Sequence, residues 1–185
     1  MAWILVLLGV ALVAWAVFAF NRLVRLRNQW RTAWADIDVQ LQRRHDLVPQ
    51  LVASVQGYAR HESALLEAVT ALRSQALTLS GPKQLGEIED ALEQGLGRLL
   101  ALGEAYPDLK ASANFQELQG ELADLEDKLA AARRALNAAV SRFNAAIQSF
   151  PAVLFAGALG FKEADFNRLD DSEKGVVDQV PNVQF

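Results

Sequence analysis

The 185-residue chain has no cysteine, one methionine, two tyrosines and two histidines. Without thiols it can form no disulfide, thiolate zinc site, iron–sulfur cluster or cysteine nucleophile. His45 and His61 are the whole imidazole inventory. His61-Glu62 begins like a zinc-protease motif, but Leu65 stands where the second histidine is required. Gly95 and Gly97 lead to no third glycine and no Gly-Lys-Ser/Thr, so no phosphate loop is read. No stretch alternates apolar and polar residues over a useful length, so no strand is expected. No set of nucleophile, base and oxyanion donor can be named. The expectation is a non-enzyme with no cofactor and no metal. Net charge is −4, and the basic residues gather near the N-terminus, which leaves the remainder more acidic. That balance argues against a nucleic-acid partner.

The sequence does have one long apolar run. Residues 2–20, AWILVLLGVALVAWAVFAF, carry no charge and no proline. As a helix these nineteen residues span roughly 28 Å, about the thickness of a bilayer hydrocarbon core. A lone segment can satisfy its backbone in lipid only as a helix. The run is long for a secretory signal, nothing basic precedes it except the amino terminus, and Val17-Phe18-Ala19 makes a poor cleavage site. A retained anchor is therefore expected. Arg22, Arg25, Arg27 and Arg31 follow before the first acid, Asp36. Short basic flanks tend to stay inside, so the N-terminus is expected outside and the body in the cytoplasm. The arginines would face anionic lipid, worth ~1 kcal/mol each near the surface. Trp30 and Trp34 suit the packing of a core, or an interface belt and anchor for self-assembly near the membrane.

Three further segments carry apolar residues at helical spacing. The first follows an alternating four-three step from Trp30 through Ile37, Leu41, Arg44, Val48, Leu51, Val55, Tyr58, Glu62 and Leu65 to Ala76. Pro49 lies inside it and predicts a kink or break near residues 45–48. The second runs from Leu85 to Gly103, with Ile88, Leu92, Leu96 and Leu99 on one side, and Tyr106-Pro107-Asp108 breaks it. The third opens near Asn114, carries Phe115, Leu118, Leu122, Leu125 and Leu129 onward to Phe150, and Pro151 closes it. A break at Pro49 gives four amphipathic helices with short connections, which bury their stripes in an antiparallel four-helix-type bundle. Without a break, a rod of roughly 85 Å would leave the membrane and its uncovered seam would pair with another copy. The expected architecture is all-α: an anchor over 1–21, a helical bundle with long amphipathic helices over 22–161, and an acidic, irregular tail over 162–185. The tail holds six acids and three bases and ends Val-Pro-Asn-Val-Gln-Phe.

The conspicuous polar cluster is Asp36, Asp38, Arg43, Arg44, His45 and Asp46. Asp36 and Asp38 point to different helix faces and do not form a carboxylate pair. Arg43 and Asp46 can pair on one face. The cluster reads as a salt network at the proline kink or as a docking site for a partner or lipid headgroup. Asn137 and Asn144, seven apart on the third helix, are candidates for setting register or oligomer partner choice.

Together these residues resemble the LemA family. The resemblance lies in Leu26-Arg27-Asn28, Ala33 to Leu41, Arg43 to Pro49, Gly57-Tyr58-Ala59 and His61-Glu62. It continues in Tyr106 to Ala111, Asn114-Phe115, Leu118-Gln119, Ala132-Arg133-Arg134, Asn137, Val140, Asn144 and Phe150-Pro151. The family often has Tyr in place of His45, Leu136 and Phe143, and Asn in place of Gln50 and Ser112, which thins any buried phenolic network here. The resemblance implies a bacterial, membrane-anchored antiparallel helical bundle, and it implies no reaction. The expected function is a single-pass inner-membrane scaffold that forms homo-oligomers, contacts anionic lipids and organises membrane or membrane proteins. The alternative is an adaptor for a membrane enzyme such as a protease, acting through the acidic tail.

Overall fold

The computed structural model of the protein describes residues 2–79 and 82–164. Among them every regular element is helical and there is no strand. Helix α1 spans Ala2–Gln56, α2 Ser63–Thr78, α3 Pro82–Ala105, α4 Pro107–Lys110 and α5 Ala113–Gln148. Single 3-10 turns lie at Arg60–Glu62 and Ala152–Leu154.

The break in the first seam is not at Pro49. Helix α1 passes through Pro49 and ends at Gln56. Proline has no N–H for the carbonyl of residue 45, four back. Arg73, on α2, supplies the missing donor: its Nε hydrogen-bonds the His45 carbonyl oxygen at 2.6 Å. The chain turns instead at Gly57-Tyr58, where Tyr58 N and Ala59 N both donate to Val55 O at 3.0 and 2.9 Å. Glycine is about 1 kcal/mol poorer than alanine in a helix, which weakens the end of α1 at that point. Ala59 then leaves helical geometry (φ −112°, ψ 56°) and is fully buried. The turn shifts the buried face that follows it. Tyr58 is exposed, while Leu66, Val69 and Ala76 take the inward positions on α2.

Prolines set the next boundaries. Pro82 opens α3, and Pro107 occupies the first turn of α4 behind an extended Tyr106. Both uses follow from a fixed φ and a first-turn N–H that would have no partner in any case. The expected stripe of α5 is buried from Phe115 through Leu129 and again from Leu136 to Ile147, but Phe150 is exposed.

The contacts divide the described chain into two units. One comprises residues 2–38 and 131–164, the other residues 39–130. In the first, Leu23 packs with Phe143, Ala146, Ile147, Ala156 and Phe161, with Trp30 and Phe155 at the edge of that cluster. In the second, leucine dominates: Leu41, Leu51, Leu92, Leu99, Leu125 and Leu129 are all buried. Two glycines there mark close approaches. A Cβ on Gly95 would lie 2.8 Å from Val69 Cγ2, and one on Gly103 would lie 2.5 Å from the Phe115 ring.

Candidate functional site

The sequence cluster at 36–46 separates by helix face. Asp36, Arg43 and Asp46 are exposed, and Arg44 and His45 turn inward. Asp38 is also largely exposed, although partial burial raises its carboxyl above the ordinary range. Arg43 and Asp46 keep separate company. Asp46 accepts from Gln42 Nε2 at 3.3 Å. Asp124, on α5, accepts from Lys128 Nζ at 2.5 Å, and that hydrogen bond holds its carboxyl below the ordinary range, with the Arg43 charge acting in the same direction.

Arg44 is the centre of the second unit. Its side chain has no solvent exposure, as has that of Glu89. One guanidinium nitrogen donates to Glu89 Oε2 at 3.2 Å. The other donates to Glu126 Oε1 and Oε2 at 2.5 and 2.6 Å and to Glu93 Oε2 at 3.3 Å. His45 Nε2 lies 2.6 Å from the remaining Glu89 oxygen. An ionised carboxylate only accepts, so with Glu89 ionised His45 Nε2 carries the hydrogen. His45 Nδ1 and Arg44 Nε are shielded from solvent with no hydrogen-bond partner among the described residues. One residue of α1 thus binds two helices by charge, and its neighbour receives a third through the Arg73 contact. The acids are graded outward: Glu89 is sealed, whereas the side chains of Glu126 and Glu93 are 37% and 46% exposed. Two charges leaving water together stabilise a fold little, but either one left alone is strongly destabilising. Such a network therefore fixes which helices meet, and in what register, more than it adds net stability.

Sequence reasoning placed Arg44 on the seam and missed its acids. The signal for Glu89 was present, since residues 89, 92, 96 and 99 share one helical stripe. A buried arginine requires a buried acceptor, and Glu89 is the acid on that stripe.

In the first unit the expected membrane-facing residues also divide. Arg22, Arg25 and Arg31 are exposed. The Arg27 guanidinium stacks over the Phe161 ring at 5.0 Å, and that of Arg31 lies 5.8 Å from the Trp30 ring. Trp30 is half-buried and packs against Phe143, with ring centroids 6.4 Å apart. Trp34 is half-buried as well. Asn144 is spoken for within the chain: its Nδ2 donates to the Ala164 carbonyl at 2.8 Å, and its Oδ1 accepts from Ala164 N at 2.9 Å. Asn137 is half-buried on the same helix. His61 is exposed and Glu62 half-buried, and among the described residues no group of three acids or histidines is arranged to hold a metal ion. A recess of about 550 Å³ is lined by Ala53, Gln56, Gly57, Ser63, Leu66 and Glu67.

The LemA family profile matches residues 33–185. The chain belongs to the LemA family. The whole Arg44 network falls inside the LemA match, and the apolar run with its four arginines lies ahead of it. Comparison with curated proteins finds no match.

Proposed function

We propose that this LemA protein is a membrane-anchored helical scaffold that self-associates and organises membrane or membrane proteins, without catalysing a reaction. The observation that carries the reading is the start of α1. Its first nineteen residues belong to a helix long and apolar enough to cross a membrane, and no residue of the most apolar stretch is buried within the protein. A helix segment that is apolar all round and not buried by protein suits lipid as its solvent. The exposed Arg22, Arg25 and Arg31 just past the run support a reading in which the membrane is the bacterial inner membrane and the body lies in the cytoplasm. Anionic lipid headgroups are the natural ligands of those arginines.

The body is read as an antiparallel bundle. Arg44 meets Glu126 and Ser54 meets Asn114, so within the second unit moving forward along α1 moves backward along α5, which supports the reading there. Self-association would run through the soluble helices, because residues 2–20 contain no two small residues four apart for tight packing in lipid. The adaptor alternative rests on the terminal Val-Pro-Asn-Val-Gln-Phe, which lies outside the described residues.

The test is particle mass in lipid nanodiscs for the full chain, beside the mass in solution of a chain lacking residues 1–20. A uniform assembly that survives loss of the run supports a scaffold built by the soluble helices. A monomer in both samples rejects self-association and turns the search toward a hetero-partner.

A further inference from the structure

Between Arg142 and Lys162 the chain carries no charged residue. The turn that follows α5 occupies the end of this stretch and exposes large apolar side chains. Phe150 is 81% exposed, Leu154 74%, Val153 52% and Leu159 49%. An isolated exposed leucine requires no explanation, but a contiguous group on one turn does. Phe155 and Phe161, from the same turn, face the other way and pack along α1. The rings of Phe155 and Trp15 meet edge to face at 6.2 Å, and those of Phe161 and Phe20 at 5.7 Å.

Trp15 lies six residues before Asn21, the first polar residue after the apolar run. At the helical rise that places Phe155 ~9 Å inside the run. Interfacial elements bury their apolar faces to a depth of ~5–10 Å. The backbone of the turn is also fit for a place without water. The N–H groups of Val153 to Ala156, and those of Leu159, Gly160 and Phe161, all donate to carbonyls within residues 149–157 at 2.8–3.1 Å. Ordinary loops are kept out of hydrocarbon by their unsatisfied backbone groups, and this turn has internal partners for most of its donors.

We infer that residues 150–160 form a second membrane contact, a turn that dips into the acyl-chain region of the bilayer beside the α1 span. Its occupant is lipid: the exposed face of the turn continues the uncovered apolar surface of residues 2–20, and Arg27 stacked on Phe161 stands just past it, where headgroup phosphates lie. The inference rests on the anchor reading proposed above and deepens it. The protein would then hold its membrane at two points, with the C-terminal end of α5 drawn down to the surface.

The chain has no cysteine, so single nitroxide labels can be placed without background. Leu154→Cys, Val153→Cys, Phe18→Cys and Ser141→Cys are each labelled in the full-length protein. They are reconstituted in vesicles of phosphatidylethanolamine and phosphatidylglycerol. Collision rates with oxygen and with a nickel chelate are then compared. At Leu154 and Val153 oxygen should dominate, as at Phe18, while Ser141 should be open to the chelate. Chelate access at Leu154 and Val153 with Phe18 protected would overturn the inference and leave the anchor standing. Chelate access at Phe18 as well would remove both. Spin–spin broadening at Leu154 that disappears on dilution with unlabelled protein would assign the turn to a second copy of the chain, and would also overturn the lipid assignment.

Discussion

Pro49 and Arg73 make the sharpest test of how this helix is held. Proline leaves the His45 carbonyl without its helical donor, and Arg73 Nε occupies the gap at 2.6 Å. Replacing Arg73 by Met keeps much of the stem and removes the donor. A buried carbonyl left unsatisfied costs about 1–3 kcal/mol. The contact is only part-buried, which favours the lower half of that range. For a chain of this size each kcal/mol moves Tm by about 2–4 °C, so a drop of about 2–8 °C is expected. In a Pro49→Ala background the residue-49 N–H returns and bonds the carbonyl along the helix. There Arg73→Met should cost less, by about 1 kcal/mol, which lies within the usual coupling between contacting residues. Pro49→Ala alone should stabilise, by up to about 3 kcal/mol where the ring had strained the helix. Unfolding of the four full-length proteins in one detergent, followed by far-UV circular dichroism, measures the cycle. Equal losses from Arg73→Met in both backgrounds would show that Arg73 does not serve the carbonyl, and the account of an unbroken α1 would be wrong.

Arg44→Met leaves the sealed Glu89 carboxylate without its arginine and should destabilise by about 3–5 kcal/mol in the same assay, whereas Arg43→Met on the exposed face should change little. The glycines give a paired contrast. Gly103→Ala drives a methyl into the Phe115 ring and should cost about 1–3 kcal/mol, while Gly120→Ala meets nothing within 4 Å on exposed α5 and should stabilise by about 0.5–1 kcal/mol. If both alanines stabilised alike, the close approach at Gly103 would be refuted.

Much of this protein was legible in local sequence. Helicity, the apolar run and the buried stripe of α5 from Phe115 to Ile147 are set by residue type and spacing, which are short-range quantities. Partners are different. Pro49 predicted a break, and the break moved to Gly57 because a guanidinium from another helix serves the orphaned carbonyl. Asp36, Asp38, Arg43, Arg44, His45 and Asp46 looked like one cluster, yet the helix turns only Arg44 and His45 inward. The acids that receive Arg44 lie 45 to 82 residues away along the chain. Asn144 was a candidate for setting register or partner choice, and nothing in the sequence marked its amide as pairing with the backbone of Ala164. Phe150 continued the α5 stripe on paper, but Pro151 ends the helix and the side chain faces outward. The sequence alone determined that the chain is helical and carries an apolar run able to cross lipid, because periodicity and transfer free energy are summed residue by residue. Only the tertiary structure decided which charges are paired, where the first helix stops and which apolar groups remain uncovered, because each depends on a group brought near from a distant part of the chain.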